Sequence, residues 1–525
     1  MTRTHTEGFR VNTIIRKRMA ARKRRLARRL DRFNYPHDLD RPMLRAGNIQ
    51  YELAGRAVGT ACGGIGLMHE FVRKLGLAEA IDRRLHLFKI HLPYHESDHV
   101  LNVTYNVLCG GRCLEDLELR RLDEGYLNAL GAERIPDPTT AGDFCRRFDR
   151  PALEDLQAAI DEARLKVWAR QPAEFFAEAH IDADGTLVET SAECKQGVDL
   201  SYKGTWGYHP LVITLAGTGE VLRLVNRPGN RPSHEGAAGL LDQSIALCRE
   251  AGFRKIVLRG DTDFSQTRHL DGWHEQPVVT FLFGMDSTAA LHIRADDLPD
   301  SAWKPLERPP KYKVQTKPRA RPERFKQQVV EARQFNDIRL EDEWVAEMPY
   351  RPYACRHTYR LVALRKNLTV NEPRQGRLFA DYRYFFYITD EPNEKTAAQI
   401  VLEANDRCNQ ENHLAQLYSA RALYAPVDNL LSNEAYMLMA SLAWNLKVWL
   451  ALWLPAPPGR WRERQAAQKQ TLLKLEFRTF VNHWIRIPCQ VLRTGRKLVL
   501  RLLAYNAWQE VFFRLARQLS RPLRC

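Results

Sequence analysis

A change in the pattern of apolar and turn residues near residue 179 constrains the fold of this chain more than any other feature. From there on, short β-branched and aliphatic runs alternate with turn residues, which is typical of strands. The first run is "HIDADGTLVET" (180–190), and "HPLVITLAGTGEVLRLVNRPG" (209–229) reads as a hairpin that turns at 217–219. A helical segment then leads to "KIVLRGD" (255–261), and "PVVTFLF" (277–283) follows. The pattern therefore predicts five strands, with a helix after the third.

This order of elements predicts a mixed sheet of the RNase H-like type. Strands joined by short turns pair antiparallel, whereas strands joined through helices cross over and lie parallel. Residues 285–383 break the pattern, because they combine strand-like pieces with many Pro, Arg and Lys residues. We interpret them as a β-rich insertion. The predicted fold class is α/β, with an RNase H-like core, this insertion and an α-helical N-terminal region.

The charge of the chain indicates a polyanionic partner. Lys and Arg number 79 against 63 Asp and Glu, which gives a net charge of +16 and a pI near 9.4. An excess of this size favours nucleic acid. The densest basic segment, residues 14–32, is either a phosphate-binding arm or a solvated tail. The candidate phosphate contacts there and in the insertion are Arg16, Lys17, Arg18, Arg22, Lys23, Arg24, Arg25, Arg28, Arg29, Lys317, Arg319 and Arg321.

Two tryptophans of the insertion are further candidates for DNA contact. Trp303 and Trp344 lie among basic residues, and aromatic rings can stack on unpaired bases. The alternative is that both rings pack against the strands of the insertion.

Carboxylates recur at the points where the predicted core would bring them together. Asp182 and Asp184 share one face of the first strand, Asp261 follows the fourth strand, and Glu411 lies on a long helix after the insertion. Strand ends of an open α/β sheet form a crevice for ligands. Hard divalent cations need such an oxygen cluster. We expect two Mg²⁺ ions about 4 Å apart, with Mn²⁺ as a substitute, to support displacement at phosphorus.

Several ordered motifs resemble one known family. They are "GYHPL" (207–211), "RPGN" (227–230), "LRGDTDF" (258–264) and "DRCNQEN" (406–412), together with "DADGT" (182–186) and the later "LAWNL". The chain resembles the DDE transposases of bacterial insertion sequences, group 1 of the transposase DDE domain, in the branch with a β-rich insertion before the glutamate. The resemblance covers roughly residues 45–455.

The resemblance implies a role for each matching residue. Asp184 would be the first metal ligand, with Asp182 as the alternative, and Asp261 and Glu411 would be the second and third. Arg407 would grip a DNA phosphate. The extended family signature is incomplete, because Ala404 and Tyr418 stand where a tyrosine and a lysine are usual.

The predicted domain boundaries follow these assignments. They are a basic arm and linker (1–45), an α-helical DNA-binding region (46–175), the core in two parts (176–284 and 384–455), the insertion (285–383) and a basic helical C-terminal region (456–525). The apolar stretch 435–455 is long enough for a membrane span. Asn445 and Lys447 interrupt it, however, and a buried core helix is the preferred interpretation. No membrane contact is expected.

The predicted function is that of an insertion-sequence transposase. It would bind terminal inverted repeats, cleave the element ends and join them to target DNA, and the resemblance implies a homodimer that pairs two ends. The alternatives are a structure-selective nuclease on the same fold and a catalytically dead DNA-binding relative. No secretory segment is visible at the polar N-terminus, so a cytoplasmic, nucleoid-associated location is expected.

Overall fold

The structure, a computed structural model, describes residues 13–31, 47, 49–91, 93–308, 337–371, 382–407, 409–455, 459–494 and 497–520. The chain divides into two compact units. The first comprises residues 1–171, 192–197 and 415–525, and the second comprises residues 172–191 and 198–414. All of the candidate metal ligands belong to the second unit.

The N-terminal part of the first unit is mainly helical, as predicted. Its elements are α1 (Thr13–Leu30), β1 (Val58–Thr60), α2 (Ile65–Leu75), α3 (Leu77–Arg84), α4 (Glu96–Leu108), α5 (Leu117–Arg121), α6 (Glu124–Leu130), α7 (Pro138–Cys145) and α8 (Arg150–Trp168). Three of these helices begin behind an aspartate whose carboxylate accepts a backbone N–H of the first turn. The aspartates are Asp123, Asp137 and Asp149.

The second unit contains the predicted RNase H-like sheet. Its first elements are β2 (Ala179–Gly185), β3 (Val188–Glu189), β4 (Asp199–Leu200), β5 (Trp206–Tyr208), β6 (Leu211–Leu215), β7 (Glu220–Val225), α9 (Ala237–Ala251), β8 (Ile256–Gly260), α10 (Thr267–His274) and β9 (Val279–Met285). The core strands lie in the order β7-β6-β2-β8-β9, and β3, β5 and β4 form a small separate sheet. β2 pairs antiparallel with β6 and parallel with β8, so it is the central strand of this core.

The sheet extends beyond the predicted core. α11 (Ala289–Asp296) is followed by β10 (Lys304–Pro305), β11 (Asp337–Tyr350), β12 (Tyr359–Asn371) and β13 (Tyr382–Thr389). β13 pairs antiparallel with β9, and β12, β11 and β10 continue outward, so nine of the described strands form one sheet. The β-rich insertion is therefore an extension of the core sheet, and the predicted boundary at 383/384 falls inside β13.

A helix covers the junction between core and extension. α12 (Ala397–Asp406) places Ile400 and Val401 in a buried cluster with Leu282 of β9 and with apolar residues of β11 and β12. This packing fixes the height of α12 over the sheet. The next helix, α13 (Asn409–Ser419), carries Glu411.

The C-terminal part of the chain returns to the first unit. Its elements are α14 (Leu430–Trp453), α15 (Arg462–Leu473), α16 (Phe477–Phe480), a π-helical turn (Val481–Ile485), β14 (Cys489–Thr494), β15 (Lys497–Leu502) and α17 (Gln509–Leu519). β14 pairs antiparallel with both β15 and β1. The prediction of a helical C-terminal region is thus corrected, because two strands, β14 and β15, lie between its helices.

The apolar helix α14 is a buried core helix, as the sequence indicated. It belongs to the first unit and not to the unit that contains the RNase H-like sheet. Its length and composition would allow it to cross a membrane, yet the apolar window is wholly buried inside the structure. Thr104 of α4 donates a 2.9 Å hydrogen bond to the Met439 carbonyl, and Arg150 of α8 pairs with the buried Glu434. The predicted assignment of 384–455 to the RNase H-like core is therefore wrong for α14, which packs with the N-terminal helices.

Candidate active site

Asp184 lies near the end of the central strand β2. Its side chain is 16% exposed, so it is largely buried but reaches the end of the sheet. The residue after it has to be small: a Cβ at Gly185 would lie 2.7 Å from Nε2 of His209. The "DG" pair therefore allows the His209 ring to pack against the strand beside Asp184.

Asp261 follows β8 directly and begins a 3-10 turn (Thr262–Phe264). Its carboxylate accepts the backbone N–H of Asp263 at 3.1 Å. β8 itself is buried throughout, as is usual for a parallel strand covered on both faces. The buried apolar strand therefore fixes the position of Asp261 at the edge of the sheet. The apolar run is followed by acids because the chain leaves the sheet at this point.

Glu411 is brought toward the sheet by its neighbour on α13. Gln410 is fully buried, and its side-chain carbonyl accepts the hydroxyl of Thr214 on β6. Thr214 is the register partner of Asp182, and Val212 is the partner of Asp184. Gln410 thus anchors the first turn of α13 beside the strand that carries Asp184, and Glu411 itself is exposed.

Arg407 lies between the two helices and faces the carboxylates. Its Nη1 is 3.6 Å from Oδ2 of Asp184, and its side chain is 18% exposed. The same guanidinium holds down the pKa values of both Asp184 and Asp261. The arginine therefore belongs to the same cluster as the predicted metal ligands.

Burial, with smaller contributions from neighbouring acids, raises the pKa values of Asp184 and Asp261 above the ordinary range. Burial raises the pKa of Asp184 to about 7 against the opposing effect of Arg407, and the charges of Asp261 and Glu411 add to the rise. Burial likewise raises the pKa of Asp261, again opposed by Arg407, with contributions from Asp263 and Asp286. The structure thus brings Asp184, Asp261, Glu411 and Arg407 into one electrostatic neighbourhood.

Asp182, the alternative ligand, is placed differently. It is fully buried, and both of its carboxylate oxygens accept hydrogen bonds from Arg259 on β8, at 2.7 and 2.9 Å. A carboxylate whose two oxygens are taken by one guanidinium is not available to a cation. The geometry therefore favours Asp184 over Asp182, although both lie on the same face of β2.

The cluster has the donor chemistry that a hard divalent cation needs. The charges of Asp261 and Glu411 raise the pKa of Asp184, so the cluster presents a negative potential that such a cation would relieve. In the described part of the chain, a different group has ligand atoms within 4.8 Å of one another, namely Glu178, His180 and Glu403. Lys255 and Lys395 already pair with the two glutamates of that group, at 3.1 and 2.7 Å. We therefore interpret it as an ion-pair network.

Comparisons with known proteins decide the family. A model of the family described as transposase DDE domain group 1 matches residues 41–523. The chain belongs to this family. Curated proteins gave no match. A cryo-EM structure of the piggyBac transposase synaptic complex with hairpin DNA is similar at a TM-score of 0.36 and 10% identity, over 82% of each chain.

Membership in the DDE transposase family confirms the resemblance found in the sequence. It supports a DNA-binding transposase of the polynucleotidyl transferase or nuclease class. The bacterial insertion-sequence origin, the inverted repeats and the homodimer stay predictions.

Helix α1 is rich in basic residues, and none of its residues is buried. Nine of its 18 residues are Arg or Lys, and none is acidic. Arg22 is half-buried, and its Nη1 donates to the carbonyls of Leu502 and Ala504, at 2.8 and 3.5 Å. Arg22 thus anchors the helix. DNA binding by the other eight stays a prediction, and Lys317, Arg319 and Arg321 lie outside the described residues.

The two tryptophans proposed for base stacking do not behave alike. Trp303 is 4% exposed, and the guanidinium of Arg365 lies 4.3 Å from its ring centre. Its ring is not accessible to a base, so the DNA-contact prediction for Trp303 is corrected to a packing role. Trp344 is partly exposed on β11, opposite Arg365 in the strand register, and its role stays a prediction.

Three further residues of the site were missed in the sequence. Asp286 directly follows β9 and contributes to the potential at Asp261. Asp286 could have been recognised from the sequence, since an acid directly follows β9 just as one follows β8. His209 donates from Nδ1 to the Arg231 carbonyl at 2.7 Å, which leaves Nε2 as an acceptor beside Gly185. Gln410 gave no signal, because a buried glutamine on a helix looks like any polar residue.

Proposed function

We propose that the chain is a transposase that cleaves the ends of its own DNA element and joins them to target DNA by divalent-cation-dependent phosphoryl transfer. Asp184, Asp261 and Glu411 would hold the cations. The single observation that supports this most directly is that Arg407 lies 3.6 Å from Asp184 on the central strand and also acts on Asp261 at the neighbouring strand end, while the charge of Glu411 on the following helix reaches Asp184.

Bound divalent cations would supply charge stabilisation to the attacking and leaving oxygens of the phosphodiester. The residues themselves set the geometry for that chemistry. β2 and β8 hold Asp184 and Asp261 at the same end of the sheet, and Gln410 holds the first turn of α13 against β6. Preorganisation of this kind lowers the entropic cost of aligning the reacting atoms.

Arg407 would serve the DNA backbone. A guanidinium matches phosphate oxygens with paired hydrogen bonds, and its 3.6 Å contact with Asp184 is too long for a strong hydrogen bond. We therefore expect Arg407 to hold a phosphate next to the carboxylates when DNA is bound.

The basic helix α1 would supply sequence-independent affinity. Apart from the half-buried Arg22, its charged residues are exposed, and phosphate contacts position a protein on the duplex without specifying sequence. Recognition of the terminal inverted repeats is assigned to the α-helical region 46–175, and two protomers would pair two ends. The enzyme would act in the cytoplasm at the nucleoid.

The proposed site is tested with charge-neutral variants. Asp261→Asn and Glu411→Gln should each abolish cleavage of DNA that carries the element ends, read from the sequence flanking the gene, while binding of that DNA stays within about threefold. Asp263→Asn is the matched control, because Asp263 is an exposed acid two residues from Asp261. Cleavage by Asp261→Asn at the parent rate would reject the proposed site.

A further inference from the structure

Arg259 contacts both strands and the helix that lead to the three carboxylates. It lies on β8, two residues before Asp261, and its Nε and Nη2 donate to the two oxygens of Asp182 on β2. Asp182 and Arg259 are register partners across the parallel pair, so the ion pair lies directly beneath Asp184 and Asp261. The arginine side chain is 5% exposed and the aspartate side chain is not exposed at all.

The third contact of Arg259 is with α12. Its Nη1 donates to the carbonyl of Glu403 at 3.2 Å. Glu403 lies in the last turn of α12, where backbone carbonyls lack partners within the helix. A cation there also meets the negative end of the helix dipole. α12 ends one residue before Arg407, and α13 with Glu411 follows immediately.

We propose that Arg259 is the positioning residue of the active site, which sets the distances between the strand ends that carry Asp184 and Asp261 and the helices that carry Arg407 and Glu411. This inference rests on the proposed function of the carboxylates. With a side chain only 5% exposed, Arg259 would act through the elements that it joins and not by contact with DNA or cations. Its planar guanidinium supplies three hydrogen bonds in fixed directions to two elements, and a lysine ammonium at the same position cannot reproduce that geometry.

If Arg259 had a purely structural role, its substitution would have different effects. Removing a structural side chain lowers the stability of the whole unit and leaves the activity of each folded molecule unchanged. Removing a positioning side chain changes the affinity for the cation and the rate of the chemical step, since groups behind metal ligands typically contribute 10–100-fold to either.

The experiment compares Arg259→Lys with Arg223→Lys. Arg223 is a matched control, because it is a buried arginine of the same sheet on the outer strand β7, with Gln243 among its hydrogen-bond partners. Mn²⁺ binding is measured by electron paramagnetic resonance on full-length protein, alongside the thermal midpoint and the cleavage rate. We expect both variants to lose some stability, but only Arg259→Lys to bind Mn²⁺ about tenfold more weakly and to cleave at least tenfold more slowly.

A second variant avoids leaving an unpaired charge in the protein interior, which could prevent folding. Asp182→Asn combined with Arg259→Gln removes both buried charges at once, and it should show the same weakened Mn²⁺ binding if position rather than charge matters. Mn²⁺ affinity and cleavage within twofold of the parent in either folded variant would overturn the inference. The same titration on Asp261→Asn and Glu411→Gln separates the two claims: if these bind Mn²⁺ normally, the proposed site fails, and if they do not while Arg259→Lys does, only the positioning role fails.

Discussion

Asp182 and Asp184 lie two residues apart on one face of β2, yet one is neutralised by an arginine and the other faces a group of like charges. Asp182 is locked to Arg259 by two hydrogen bonds, whereas Asp184 has Arg407 at 3.6 Å and the charges of Asp261 and Glu411 around it. The same residue type on the same strand therefore serves the fold at one position and the proposed chemistry at the other.

This difference predicts that two single substitutions affect the stability of the protein differently. Asp182→Asn should leave a buried arginine without its carboxylate and destabilise the protein by about 3–5 kcal/mol. Asp184→Asn should keep the fold and lose cleavage. Urea unfolding and a cleavage assay on each variant check this. Loss of cleavage by Asp182→Asn with an unchanged unfolding free energy would show that Asp182 is the ligand instead.

The raised pKa of Asp184 predicts how stability depends on pH without added cation. A carboxyl group whose pKa is raised by folding favours the folded state below its ordinary value of 3.8, and this contribution is lost as the pH rises to about 7. The loss is at most roughly 4 kcal/mol. Asp184→Asn cannot ionise, so its stability relative to the parent should rise as the pH goes from about 4 to about 7. Parallel stability profiles for the two proteins would contradict the pKa shift.

The exposed charges of α1 predict a salt-dependent contribution to DNA binding. Replacing Arg16, Lys17, Arg18, Lys23, Arg24 and Arg25 by glutamine keeps the Arg22 anchor. The slope of log affinity against log salt should then fall by about 0.9 for each DNA phosphate that the variant no longer neutralises. Fluorescence anisotropy at several salt concentrations measures the slope. Arg22→Gln is the control, and it should change this slope by no more than about 0.9, the value for one phosphate contact. An unchanged slope in the sixfold variant would mean that α1 does not bind DNA.

The sequence predicted the features that depend on local pattern and strand order. The five core strands and the hairpin at 217–219 follow from short apolar runs and the turn residues between them, and the placement of Asp184 and Asp261 at neighbouring strand ends follows from the strand order. The role of these two residues and of Glu411 as metal ligands stays a prediction. The pairing of Asp182 with Arg259 could not be predicted, because an arginine inside a short strand looks like an exposed edge residue until the strand is known to be buried.

Long-range packing was equally inaccessible. Whether α14 joins the core sheet or the N-terminal helices depends on contacts such as that between Thr104 and Met439, more than 300 residues apart. Likewise, the pairing of β13 with β9 decides that the insertion extends the sheet. Neither contact leaves a periodic signal in the sequence.

Lys447 provides a test that is independent of the active site. The residue is fully buried on α14, its Nζ donates to the Leu473 carbonyl at 2.6 Å, and burial lowers its pKa to about 7. A lysine with a lowered pKa costs stability, in full below about pH 7 and less as the pH rises toward 10. Lys447→Met should therefore raise the free energy of unfolding at pH 7 by about 1–3 kcal/mol. A lower unfolding free energy would show that the hydrogen bond to Leu473 outweighs the burial of the ammonium group.

Joining of DNA ends is the measurement that tests the central claim most directly. Purified protein is incubated in Mg²⁺ with pre-cut element ends and supercoiled plasmid, and in parallel with DNA that carries uncut element ends, and the joined and cleaved products are resolved on a gel. The parent should give joined product, and Glu411→Gln should give none while still binding the ends, because cutting and joining share one site. Cleavage without joined product under any divalent cation would indicate a nuclease, and binding of ends with neither reaction would indicate a catalytically dead relative. Either result would contradict the proposed function.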